Sequence, residues 1–130
     1  MKKTIAALFA LSVLAGCSGC GGDAPAHQWE KVGENGKTEF FIDKSSITGK
    51  QVKTFWQKDI PIGEYETHRT KGEYEISLLS IDCKKNTLSQ VARYKYKNGE
   101  HTFGGEIKNP EAHFIIPETL GEAFQRYVCR

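Results

Sequence analysis

The sequence predicts an α+β domain: an antiparallel meander sheet of about six strands with one C-terminal helix packed on it and stapled to it by a disulfide. Three observations carry this. Apolar and polar residues alternate with period two in successive runs between residues 29 and 107. The pairs Asn35-Gly36 and Asn98-Gly99 fall between such runs, and Asn-Gly favours the positive φ angles of a tight hairpin. One later segment, after Thr119, switches to the 3.6-residue period of a helix.

Each element follows from local chemistry. Trp29 to Val32 and Thr38 to Ile42 flank Glu34-Asn35-Gly36-Lys37, a hairpin turn. Asp43-Lys44-Ser45-Ser46 then places carboxylate and hydroxyl groups where they can bond a turning backbone, and Val52 to Ile60 forms the third strand. Residues 61 to 72 contain Pro61, Gly63 and Gly72 and read as a loop. In the next strand Tyr74-Ile76-Leu78 alternates with Ser77-Leu79-Ile81-Cys83, so both faces are covered or nearly so. A turn at Lys84-Lys85-Asn86 leads to Leu88 to Lys97, and Asn98-Gly99 joins that strand to His101 to Ile107. Thr119-Leu120-Gly121-Glu122 has the form of a capping box, with Thr119 as N-cap and Glu122 reaching back to its amide. Leu120, Ala123, Phe124, Tyr127 and Val128 make one apolar stripe, wide enough to lie on a sheet.

Ahead of this domain the chain has a different character. Met1-Lys2-Lys3 is cationic, and Ile5 to Leu14 is an uncharged apolar stretch of about ten residues, half the roughly twenty that a spanning helix needs. It therefore reads as an export signal over residues 1–16. Leu14-Ala15-Gly16-Cys17 resembles the lipobox of bacterial lipoproteins, in which the signal is cut before the cysteine and the sulfur receives a diacylglyceryl group. That makes Cys17 the expected lipidation site and a membrane, through this N-terminal lipid anchor, the first partner. Several acyl chains at about 0.8 kcal/mol per buried methylene anchor durably. Ser18 follows the cysteine, which by resemblance to Gram-negative sorting directs the protein to the outer membrane. Residues 17–28 are then the lipidated cysteine and a glycine-rich tether, and residues 29–130 the folded domain.

The whole chain carries a formal charge of +2, but Lys2 and Lys3 belong to the signal. What remains has as many acidic as basic residues, so no net charge recruits nucleic acid. Export places the other cysteines where disulfides form. Cys83 ends a buried strand and Cys129 ends the helix that packs on the sheet, so these two are natural partners. Closing a loop of roughly 47 residues contributes at most about 4 kcal/mol through chain entropy. Cys20 is left in the tether, either free or paired between molecules. His27, His68, His101 and His113 are scattered and none lies at ligand spacing from a cysteine, so no metal and no cofactor is expected. Nucleophile-elbow, zinc-protease and phosphate-loop motifs are absent, and Asp43, Ser45 and Ser46 are explained by capping, so no enzyme is expected either.

An ordered set of short motifs points further. Trp29-x-x-Val32-Gly33, Phe40-Phe41-Ile42-Asp43-Lys44-x-Ser46-Ile47, Ile81-Asp82-Cys83, Leu88-x-Gln90-Val91, Ile116-Pro117 and Val128-Cys129 occur in that order. Together they resemble the surface-adhesin protein E family of Gram-negative lipoproteins, across the whole stretch from Trp29 to Cys129. The resemblance implies a small antiparallel sheet with a C-terminal helix and a disulfide equivalent to Cys83–Cys129, and it leaves room for a homodimer. It also implies that some members bind host matrix or serum proteins such as vitronectin, laminin and plasminogen. In the family this binding is associated with strands near the first disulfide cysteine, which match Cys83, Leu88, Gln90 and Val91 here. Beside them, strand alternation places Arg93, Lys95 and Lys97 on one face about 7 Å apart, with Tyr94 and Tyr96 on the other. That stripe reads as a docking strip for an acidic partner, or as a solvated face whose charges prevent edge aggregation. Because the alternation separates bases from aromatics, it is not a nucleic-acid platform. Phe55 and Trp56, adjacent on one strand, must point to opposite faces. The exposed one either anchors an interface or packs in the core or a dimer contact. An alternative to host binding is an envelope lipoprotein that holds a periplasmic protein.

Overall fold

The structure, a computed structural model, describes residues 26–63 and 71–130. The export signal, Cys17, Cys20 and most of the tether lie outside the described residues, as does 64–70 of the expected loop.

Among the described residues, seven strands and one α-helix form the domain: β1 (Trp29–Glu34), β2 (Thr38–Asp43), β3 (Val52–Pro61), β4 (Glu73–Asp82), β5 (Thr87–Lys97), β6 (Glu100–Glu106), β7 (Ala112–Phe114) and α1 (Leu120–Val128). Strands β1 to β6 pair in sequence order, all antiparallel. The meander is therefore as expected, with one addition. Strand β7 returns to pair Ala112, His113 and Phe114 with Ser89, Leu88 and Thr87, so β5 carries β6 along one half and β7 along the other. Three residues show too little alternation for sequence periodicity to find them.

Turn chemistry sets the register. Asn35 Oδ1 accepts from the amides of Lys37 and Thr38 at 3.0 and 2.9 Å, while Gly36 takes φ +80°. Asn98 and Gly99 take φ +51° and +83°, the paired left-handed conformation of a tight hairpin. Asp43 caps a short 3-10 turn over Lys44–Ser46.

The helix covers one half of one sheet face. Ile42, Phe55, Leu79 and Ile81 from the sheet pack with Ile115, Phe124 and Val128, and the Phe55 and Phe124 rings meet edge to face at 5.8 Å. Cys83 and Cys129 are bonded, with Cα atoms 5.7 Å apart. Tyr127 extends the contact by donating its hydroxyl to Glu30 Oε2 at 2.6 Å.

The capping box forms differently from the expectation. Thr119 is the N-cap residue, but its hydroxyl donates back to the Ile116 carbonyl at 2.6 Å and bonds no helix amide. Glu122 accepts from the Glu118 amide at 2.8 Å, one residue earlier than the motif predicts. Glu118 has φ +61°, which turns its N–H over the helix start and into reach of that carboxylate.

Candidate functional site

The face that carries the helix has a second, uncovered half. Cross-strand register defines it: Phe40, Asp59, Glu75, Lys95 and Phe103 form one row across β2 to β6, and Glu73 pairs with Lys97 in the next. A buried polar strip divides it from the apolar half. Gln57 and Ser77 are nearly inaccessible, and Gln90 donates to the Ser77 hydroxyl at 2.9 Å.

Alternation on β5 holds: Arg93, Lys95 and Lys97 share this face, while Tyr94 and Tyr96 pair with Ile76 and Tyr74 on the opposite one. Gln90 belongs to the first group only because of a bulge. Leu78 pairs with Ala92 but Leu79 pairs with Gln90, so Val91 is the extra residue and the strand reverses its facing there. Simple period two would separate Gln90 from Arg93, whereas the structure brings them onto one face.

The register also adds partners that strand-by-strand reading does not supply. Arg93 donates to Glu75 through both Nε and a terminal nitrogen, at 2.7 and 2.9 Å, a bidentate pair. Lys95 lies directly across from Glu75, and Lys97 Nζ is 3.7 Å from Glu73. The stripe is thus a charge-alternating band. Asp59 lies behind it, accepting from the Gln57 amide. Burial and the neighbouring Glu75 charge push its carboxyl up to about 7, with Arg93 acting the other way. These side chains border a cleft of about 420 Å³ whose lining includes Phe40, Asp59, Glu73, Glu75, Lys95 and Tyr96. Phe103 stands exposed beside it.

Phe55 and Trp56 diverge as strand geometry requires. Phe55 lies buried under the helix, and Trp56 is half-buried on the other face against Tyr94 at 6.1 Å.

Asp43, Ser45 and Ser46 form a structural cluster. The Asp43 carboxylate accepts from the Gln28 amide, the Ser45 amide, the Ser45 hydroxyl and His27 Nδ1. Burial opposes its charge, but these donors, Ser45 and His27 foremost, outweigh burial and pull the carboxyl down to about 2. Ser46 donates to the Asp43 carbonyl and accepts from the Trp56 amide. Every polar group here is spent on joining the chain entry, the 3-10 turn and β3. Among the described residues no group of three histidine, cysteine or acidic side chains is placed to hold a metal.

Among the described residues the domain is a disulfide-stapled sheet with one α-helix, a polar cleft and a band of charge at the helix-free end. The chain belongs to the surface-adhesin protein E family, whose model matches residues 29–130, and this is the family that the motif order resembles. No curated protein and no solved structure matches it. Membership makes this an exported, adhesin-like protein of the cell surface that works by binding.

Proposed function

We propose that the chain is an outer-membrane lipoprotein, anchored by acyl chains on Cys17, whose domain binds host serum or extracellular-matrix proteins. The family match over residues 29–130 carries this reading, and the Leu-Ala-Gly-Cys tetrapeptide after a short apolar segment supports the anchor. Docking falls to the charged band, with Arg93, Lys95, Lys97 and Gln90 as the contact residues. An acidic partner exchanges its carboxylates for Glu73 and Glu75, and because exposed pairs of this kind contribute only about 0–1 kcal/mol, the exchange costs the domain little.

Three measurements test this. Mass spectrometry of the protein purified from membranes finds residue 17 carrying fatty acyl groups; an unmodified Cys17 removes the anchor. Protease added to intact cells shaves off the domain; full protection places it in the periplasm and favours a periplasmic protein as the partner. Pull-down from serum and matrix captures a host protein, and replacing Arg93, Lys95 and Lys97 together by Ser lowers that capture at least tenfold. Unchanged capture removes the band as the docking site.

A further inference from the structure

We propose that the end of the sheet where the chain enters the domain rests on the bilayer that holds the anchor. Its lysines meet the phosphate headgroups and its exposed apolar side chains reach the boundary with the acyl chains. This orientation rests on reading Cys17 as acylated.

Strand direction gathers that end. β1 begins there at Trp29, opposite the end of β2 at Asp43, and the Lys44 amide donates to the Gln28 carbonyl at 2.8 Å. Val52 at the start of β3 pairs with Asp82 at the end of β4. Asp82 pairs with Thr87 at the start of β5, and Thr87 pairs with Phe114 at the end of β7. The segments joining these strand ends carry Lys44, Lys50, Lys84 and Lys85, all exposed and none in an ion pair among the described residues. Lys53 lies beside them, donating to the Gly49 carbonyl at 3.0 Å.

The carboxylates of this end do not cancel the lysines. Asp43 is inaccessible and turned toward Gln28, His27 and Ser45. Asp82 is occupied by the amides of Lys84 and Lys85 and by the Gln51 side chain. At the helix start Glu122 pairs with Arg126 at 2.9 Å. Five lysines thus stand against Asp82 and Glu118 at the surface. The opposite end is balanced: its described turns carry Glu34, Glu73 and Glu100 against Lys37, Lys71 and Lys97.

Exposed apolar side chains lie among these lysines. Phe114 is 79 % exposed, Ile116 65 % and Val52 47 %. Val52 and Phe114 belong to the terminal row of the sheet, with Asp82 and Thr87 between them. Apolar groups ringed by lysines suit a membrane surface, where the former sink below the headgroups and the ammonium groups stay with the phosphates.

Chain length selects the same end. The described chain begins at Ala26 beside it, and the nine residues back to Cys17 span at most about 30 Å. The eleven residues of β5 alone extend over about 35 Å. An anchor on Cys17 therefore holds the entry end near the bilayer, where weak contacts form at high effective concentration. A soluble acidic protein would also satisfy the lysines, but it would have to displace the bilayer from the tethered end. With this end down, both sheet faces stand upright. The charged band lies on one, and the aromatic face, with Tyr74 stacked on Tyr96 at 5.1 Å, on the other. The Glu73–Lys97 pair is at the far end, open to a partner.

To test this, the acylated chain purified from membranes is reconstituted into vesicles of phosphatidylcholine, with or without anionic phosphatidylglycerol. An uncharged amine reagent then labels its lysines for mass spectrometry. Each lysine near an anionic leaflet strengthens the contact about fivefold. Phosphatidylglycerol should therefore slow labelling of Lys44, Lys50, Lys84 and Lys85 at least about fivefold and leave Lys95 and Lys97 unchanged, and molar salt should abolish the difference. The mature chain carrying Cys17→Ser should co-sediment with the anionic vesicles. Replacing Lys44, Lys50, Lys84 and Lys85 by Gln should weaken that binding at least about tenfold, and Phe114→Ser about threefold. Equal labelling on both vesicles, protection of Lys95 and Lys97 instead, protection by soluble polyglutamate but not by vesicles, or undiminished binding after the Gln replacements overturns the proposal. Acylated Cys17 without lysine protection overturns it alone. An unmodified Cys17, with the Cys17→Ser chain still binding anionic vesicles, overturns the anchor and leaves the membrane-facing end.

Discussion

Asp43 is 1 % exposed and charged, held by two amides, a hydroxyl and an imidazole that together outweigh the cost of burial. Its carboxyl falls from an ordinary 3.8 to about 2, so the folded state binds this proton less readily than the unfolded chain does. The stability it contributes is present above about pH 4 and is lost as pH falls toward 2. Asp43→Asn should therefore cost on the order of 2 kcal/mol at neutral pH, read as a lower urea midpoint, and little of that cost should remain at pH 2. Asp59 has the opposite sign. Its folded carboxyl titrates near 7, well above 3.8, so its favourable contribution is complete below about pH 4 and disappears as pH rises through 7. Asp59→Asn, which keeps the shape and removes the charge, should raise the melting temperature at pH 8 by a few degrees and leave it unchanged at pH 4. Equal effects at both pH values would show that the carboxyl titrates normally. Neither behaviour is legible in the sequence. Asp43 follows Ile42 and Asp59 follows Lys58 in strands, and only the fold brings Gln28 and His27 to the first and Glu75 to the second.

At the scale of elements, turn chemistry was readable and strand irregularity was not. Asn35-Gly36, Asn98-Gly99 and the Asp43 cap on Ser45 act through neighbours one to three residues away, so their effect is written locally. The bulge at Val91 depends on which carbonyl of β4 faces which amide of β5, a relation between segments more than ten residues apart. The same holds on β6, where Gly104 takes φ +106° opposite Tyr94. A Cβ built there would lie 2.0 Å from the Arg93 carbonyl oxygen, a collision with backbone. Gly104→Ala should destabilise the domain by about 1–3 kcal/mol and selectively raise amide exchange along β6. The helix stripe was also legible, because its period is local. Its cap was not, since Thr119 and Glu122 chose partners according to the path of Ile116 and Glu118.

For the whole molecule, the Cys83–Cys129 bond spans 46 residues and joins the end of β4 to the end of the helix. Replacing both cysteines by Ser should lower stability by up to about 4 kcal/mol. The helix lies at the chain end and covers only half of one face, so its amides should lose protection before those of β3 and β4. Simultaneous loss of protection everywhere would mean that sheet and helix form a single cooperative unit. This half coverage also leaves the charged band uncovered by the helix. A helix of nine residues is about 14 Å long, too short to cover β3 to β5 from end to end. The charged band occupies what it leaves bare, and the aromatic face lies beyond its reach.

Strand alternation, Asn-Gly turns, one amphipathic stripe and two well-placed cysteines determined the architecture, because each acts over a few residues or marks an element's end. Motif order determined the family. Tertiary structure alone decided that Arg93 is held by Glu75, that Gln90 turns inward to Ser77, that Asp59 lies in a cleft and that Tyr74 stacks on Tyr96. Those relations depend on register, which sums hydrogen bonds across strands far apart in the chain, and a single bulge inverts which side chains meet.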